Sequence, residues 1–317
     1  MKIDVFSHVL PQKYLALYSS KNDAILKTTD ARNQGITDIE FRLRLMDRYP
    51  DVMQVISISQ PAVESLLSSK DAVELAKIAN DELAGLLNKY PDKFIGAVAC
   101  LPLNDMEAAL AEADRAISQL GFKGVQVYST VNGDSLDNPK FRPLFEKMAR
   151  YDLPIWLHPC TNLKVAQPAG PLKAIFNWPF ETASAMMSLV ASGIFIDYPN
   201  IKFITHHCGS MVSFFEQRIR WLMPELLGGP GHRVVDPEEH FRKFYNDTAV
   251  YGSTPALMCG YSFFGADHLL FGTDAPLGPK FGLTHATIAS IQRMNIPESD
   301  KEKILSENAI RLLKLAL

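Results

Sequence analysis

A chain of 317 residues, 47% hydrophobic and 21% charged with a formal net charge of -3, holds enough apolar side chains for a large core, which excludes disorder and fibrous repeats. Its 32 Lys+Arg and 35 Asp+Glu are scattered without a long basic run; this excludes the electrostatic footprint of a nucleic-acid binder and favours small-molecule partners. The longest nearly apolar run, Ser184 to Ile196, is too short to span a bilayer, so no membrane segment is expected.

In chain order, short β-rich runs bounded by turn residues fall at Lys2 to His8, Val52 to Ile58, Phe94 to Cys100, Lys123 to Tyr128, Pro154 to His158, Lys202 to His207, Phe244 to Thr248 and His268 to Thr273. Helical patterns alternate with them: Asp38 to Arg48, Ala72 to Lys89, Met106 to Gln119, Pro139 to Arg150, Thr182 to Ala191, Met211 to Met223, Pro255 to Tyr261, Thr284 to Met294 and Lys301 to Leu315. The strand runs are mostly apolar rather than strictly alternating, as parallel strands covered on both faces require. Eight such units predict an α/β fold of the (β/α)8 TIM-barrel type, one domain over residues 1–317 with insertions at Gln12 to Gly35 and Pro224 to Glu239. An open doubly wound sheet is the alternative, weakened because no GxGxxG or GxxxxGK[ST] follows the first strand.

Met1-Lys2-Ile3-Asp4 puts an acid where a signal peptide would build its apolar segment, so a cytoplasmic location is expected. Cys100, Cys160, Cys208 and Cys259 contain no CxxC pair and are expected to be free thiols.

In a (β/α)8 barrel the catalytic groups come from the C-terminal strand ends. Four ends carry suitable residues: Ser7-His8, Leu157-His158-Pro159, Thr205-His206-His207 and Gly272-Thr273-Asp274. Each histidine alone has an ordinary structural reading, and Asp274 alone could be a helix cap. Together, two or three imidazoles and a carboxylate at one mouth form the N/O donor set of a mononuclear Zn²⁺ site or that of a similar divalent ion, with Mn²⁺ or Mg²⁺ as alternatives. A bridging group for a second metal is missing after strand four, where Gln126, Val127 and Tyr128 stand. His206 and His207 are adjacent, and an extended strand would point them to opposite faces. The turn that Gly209 permits favours His207 as the functional one, with His206 packing or supporting.

The residues resemble the amidohydrolase-2 family, metal-dependent barrels typified by aminocarboxymuconate-semialdehyde and γ-resorcylate decarboxylases. The resemblance runs nearly end to end, through Lys2-Ile3-Asp4-Val5-Phe6-Ser7-His8-Val9-Leu10-Pro11, Met46-Asp47 with Val55-Ile56-Ser57, Leu153-Pro154-Ile155-Trp156-Leu157-His158-Pro159, Trp178-Pro179-Phe180-Glu181-Thr182, His206-His207-Cys208-Gly209 and Phe271-Gly272-Thr273-Asp274. It implies His8, His158 and Asp274 as metal ligands and His207 as the active-site histidine. It further implies a carboxylate clamp from Arg42 and from Arg218, the latter reaching the neighbouring subunit's site in a homodimer with shared active sites. One position departs: the family's first strand ends His-x-His or Glu-x-His, and here the first donor position is Phe6, which cannot bind an ion. Asp4, on the same strand face, lies roughly 13 Å from His8 at strand rise and cannot substitute.

The resemblance and the arginine clamp it implies give as the expected activity the non-oxidative decarboxylation of an aromatic or unsaturated carboxylic acid. His207 or Asp274 would supply the proton, and Phe6, Tyr128, Trp156 and Trp178 would form apolar walls. The alternatives are a metal-dependent hydrolase or hydratase of a lactone, ester, amide or conjugated diacid, and a barrel that has lost its metal and serves as a binding protein.

Overall fold

The computed structural model describes residues 1–22, 25, 34–160, 173–228, 233–279 and 283–316. Eight strands are found where the apolar runs predict them: β1 (Lys2–Val9), β2 (Val52–Ile58), β3 (Phe94–Ala97), β4 (Val125–Tyr128), β5 (Ile155–His158), β6 (Phe203–Thr205), β7 (Tyr245–Asp247) and β8 (Leu269–Leu270). Every neighbouring pair is parallel. The runs β1–β3 and β4–β8 are joined at both seams. Between β3 and β4, Gln126 N donates to Ala99 O at 2.9 Å, and between β8 and β1, Val5 N donates to Phe271 O at 2.9 Å. Closure leaves no sheet edge, which makes this a (β/α)8 barrel.

The inward faces of the strands fill the barrel floor with Ile3, Val5, Phe6, Val55, Trp156 and Ile204, all 0–1% exposed. Trp156 therefore packs in the floor and donates its indole N–H to Val5 O at 2.8 Å, rather than forming a wall of an open mouth. A second, larger core lies between the strands and the helices. The helix Ser69–Lys89 supplies Leu75, Ala76, Ala79 and Leu83 from one face at the spacing of a 3.6-residue turn. Polar caps set the helix starts: the Asp38 carboxylate accepts from Phe41 N at 2.9 Å and that of Asp105 from Ala108 N at 3.0 Å.

Several boundaries differ from the sequence reading. The helix after β5 runs Lys173–Ala191 and includes Trp178 and Pro179, well before the expected start at Thr182. The helix after β6 starts at Glu216 instead of Met211, because residues 207–210 form a left-handed turn. Within the expected insertions, Gln12–Lys21 is a helix, while residues 23–24, 26–33 and 229–232 lie outside the described set. A register shift between Asp4 and Ser7 breaks the alternation of β1, so the Asp4 carboxylate turns toward Gln54 and Thr273 instead of sharing a face with Phe6 and His8.

Candidate metal and active site

Four strand ends meet at the C-terminal mouth. His8 closes the inward face of β1, His158 ends β5, His206 follows β6, and Asp274 stands four residues beyond β8. All four are buried. Two groups of donor atoms each lie within 4.8 Å of one another: His8, His158 and His206, and then His206, His207 and Asp274. His206 belongs to both.

Each of the three histidines in the first group is anchored through Nδ1. That of His8 faces the Ser57 hydroxyl at 3.1 Å, that of His158 the Pro159 carbonyl at 2.6 Å, and that of His206 the Asp247 carboxylate. The Ser57 hydroxyl donates onward to Ser7 O, so it accepts from His8. An imidazole whose Nδ1–H donates keeps the Nε2 lone pair free, the arrangement that oriented metal-ligating histidines adopt. Gln60, at 3.5 Å from His158 Nδ1 and donating to Pro159 O, steadies the β5 end.

Asp274 Oδ1 lies 3.3 Å from His8 Nε2 and 3.4 Å from His206 Nε2, yet among the described residues neither Asp274 Oδ1 nor His8 Nε2 has a hydrogen-bond partner. Orphaned polar atoms are costly in so buried a place. A four-coordinate ion with bonds of ~2.0–2.1 Å sets its ligand atoms ~3.3–3.4 Å apart. The separations fit a divalent cation among these atoms.

The electrostatics agree with that donor set. Burial, and for His158 also the neighbouring His8 and His206, pushes His8 and His158 below the ordinary histidine range, leaving them neutral. Burial would also lower His206, but the Asp247 and Asp274 carboxylates outweigh it and push it up to about 10. The proton so held occupies the place that a cation can take between the same carboxylates. Asp274 is held well below the usual carboxylate range by His206 and His8, against the opposing effect of burial. Burial, reinforced by His206, takes His207 down to about 3.

The expectation that only one of the adjacent histidines can face the mouth is not met. Extended backbone ends at Thr205, and His207, Cys208, Gly209 and Ser210 all have φ between 56° and 66°. The left-handed turn swings the His207 ring back to 3.9 Å from that of His206, so both imidazoles reach the mouth. Gly209 is required there, since a Cβ would lie 2.7 Å from Asn246 Oδ1 and 2.7 Å from the Phe264 ring. His207 Nδ1 is buried and has no partner among the described residues.

Arg42 corrects another expectation. Its guanidinium is buried and committed, with Nε and Nη2 donating to Gln54 Oε1 at 3.1 and 2.7 Å and Nη1 to the His8 carbonyl. It props the end of β1 and offers no free fork for a substrate carboxylate. Arg218 is exposed on the helix Glu216–Leu227. Trp178 is half-buried on the helix after β5, with its indole N–H unpartnered among the described residues. Phe6 lies under the cluster, stacked on His206 at 4.0 Å and 11°. The sequence reading missed Asp247, although it stands one residue before the end of the seventh strand run and the same strand-end question asked there would have found it.

The amidohydrolase family model matches residues 3–315. The chain belongs to the amidohydrolase-2 family. It is 33% identical over 299 residues to the γ-resorcylate decarboxylase of a Polaromonas species, covering 86% of each chain. Among solved structures it resembles the 5-carboxyvanillate decarboxylase of Sphingomonas paucimobilis, with 25% identity, a TM-score of 0.88 and 99% of each chain covered. It also resembles a dihydroxybenzoic acid decarboxylase from Polaromonas with bound manganese and the inhibitor 2-nitroresorcinol, at 28% identity and a TM-score of 0.79, over 99% of this chain and 96% of that one. Among the described residues no helix is long and apolar enough to cross a membrane.

Proposed function

We propose that this member of the amidohydrolase-2 family is a metal-dependent, non-oxidative decarboxylase acting on an aromatic or unsaturated carboxylic acid. The observation that carries the reading is the convergence at one buried mouth of two donor groups that share His206, His8–His158–His206 and His206–His207–Asp274, with Asp274 Oδ1 3.3 Å from His8 Nε2, in a chain whose relatives bear decarboxylase names. His8, His158 and Asp274 hold one ion, Zn²⁺ by its N/O donor set, with Mn²⁺ the alternative that a related structure holds and Mg²⁺ a further one. Such an ion polarises the substrate's carboxylate or a neighbouring hydroxyl oxygen.

His207 and Asp274 handle the proton. Burial keeps His207 neutral, so one ring nitrogen can give a proton while the other takes one up. The proton bonds to the carbon bearing the carboxylate, the C–CO₂ bond breaks, and its electron pair returns to the conjugated system. Trp178, half-buried on the helix after β5, would give this site an apolar side, which weakens carboxylate solvation and favours a planar substrate, while Phe6, fully buried in the floor, supports it from beneath.

Arg218 belongs to a homodimer in this reading. It sits in an exposed apolar stripe with Phe214, Trp221, Leu222 and Leu226, of which Leu226 is 81% exposed. Such a stripe calls for a partner surface. A second copy would cover it and receive the Arg218 guanidinium as a bidentate carboxylate clamp. The four free cysteines support a cytoplasmic setting.

The test is CO₂ release from a panel of hydroxybenzoates and muconate-type acids by metal-loaded protein. One CO₂ per substrate consumed, without uptake of water, is expected. Turnover of lactones, esters or amides with no CO₂ from any acid would replace this reading with hydrolysis.

A further inference from the structure

Phe6 stands where the first strand would place a metal donor, and a phenyl ring has none. What the structure puts beside that ring is an imidazole. His206 lies flat on Phe6 with the ring centres 4.0 Å apart, and it belongs to both donor groups of the mouth. Resting on the metal reading above, we propose that His206 is itself a ligand of the ion, taking the coordination position that Phe6 leaves without a donor, with Asp247 as its positioning residue.

Three independent features support this assignment. The first is orientation. Asp247 is fully buried, and while one of its oxygens binds His206 Nδ1, the other accepts from Ala249 N at 2.9 Å and Cys208 N at 3.3 Å. The carboxylate is thus fixed by backbone and turns Nε2 of His206 toward the mouth. The second is spacing, because that Nε2 stands 3.4 Å from Asp274 Oδ1, the same edge length that His8 Nε2 makes at 3.3 Å. Two imidazole nitrogens at these distances from one carboxylate oxygen, and within 4.8 Å of each other, can share a single ion. The third is packing. Gly272 lets Phe6 and Asp247 close in, since a Cβ there would lie 2.8 Å from Asp247 Cβ and 3.2 Å from Phe6 Cβ. The aromatic that removed one donor thereby holds its replacement in plane.

Zinc-edge X-ray absorption on the full-length protein loaded with one Zn²⁺ reads the ligand count directly. Three imidazoles per zinc are expected, from His8, His158 and His206; two would overturn the proposal while leaving the metal reading intact. A wild type that takes up no stoichiometric Zn²⁺ would sink both. Chelator competition gives a second readout. We expect His206→Gln, checked for folding by circular dichroism, to weaken Zn²⁺ binding at least ~100-fold, Asp247→Asn to weaken it ~10–100-fold, and His207→Gln to leave it within a few-fold. Adding Phe6→His to His206→Gln should restore most of the lost affinity. Wild-type affinity in folded His206→Gln, or no recovery in the double variant, would refute the exchange of ligands.

Discussion

Glu64 offers a charge experiment independent of the metal. It follows β2 in the short helix Val63–Leu66, is 3% exposed, and has one carboxyl oxygen buried with no hydrogen-bond partner among the described residues. Burial raises its carboxyl from 4.5 to about 7, opposed only by a backbone hydrogen bond. A folded-state value above the unfolded one means that the native protein holds the proton more tightly. The associated stability is fully present below about pH 4.5 and is lost as pH rises through about 7. With ~1.4 kcal/mol per pH unit, the shift costs the wild type roughly 3 kcal/mol at pH 8 relative to pH 4. Glutamine keeps the shape without the titration. Glu64→Gln should therefore match the wild type near pH 4.5 and exceed it by up to roughly 3 kcal/mol at pH 8, with nearly all of the difference developing between those values. Urea unfolding of both proteins across this range measures it, because other titrating groups cancel in the difference. A difference equal at pH 5 and pH 8, or a wild type that is the more stable at pH 8, would refute the argument that Glu64 is buried without compensation.

Chelation should abolish decarboxylation and lower the melting temperature, and Zn²⁺ or Mn²⁺ should restore both; an ion at ~100 times its Kd contributes ~2.7 kcal/mol to the folded state. Gly209→Ala should lose at least ~2 kcal/mol of stability in urea titrations and most activity, because its φ of 66° and the 2.7 Å approaches to Asn246 and Phe264 leave no place for a methyl group. Arg218→Ala and His158→Ala should each be inactive alone and regain activity on mixing, toward about a quarter of wild type as expected of one intact site in each mixed dimer and random exchange. No recovery after mass spectrometry has shown subunit exchange would count against a shared site.

The barrel was readable because its determinants are local. The apolar runs at β1, β2 and β5 are bounded by turn residues, and parallel strands buried on both faces need nothing else to be recognised. The same runs end in His8 and His158, and they locate part of the mouth without any coordinates. Helix starts were harder to read. Nothing local distinguishes Lys173 from Thr182 as the beginning of the helix after β5, and Pro179 argues against a helix that tertiary packing nevertheless carries through it. Arg42 shows the limit for side chains: a resemblance can nominate a clamp, but the fork was already taken by Gln54 and the His8 carbonyl.

What the chain encodes alone is the order of strands and helices and the presence of histidines and Asp274 at strand ends, since periodicity and turn chemistry act over a few residues. Which nitrogen of which histidine points inward is a matter of partners 40 to 50 positions away: Ser57 for His8, and Asp247 for His206. The rule that neighbours on a strand face opposite ways failed at His206 and His207 because the backbone leaves the strand after Thr205 and turns left-handed against Asn246 and Phe264. That reversal costs of order 1–3 kcal/mol per strained non-glycine residue, and only the surrounding packing of a closed barrel can hold it.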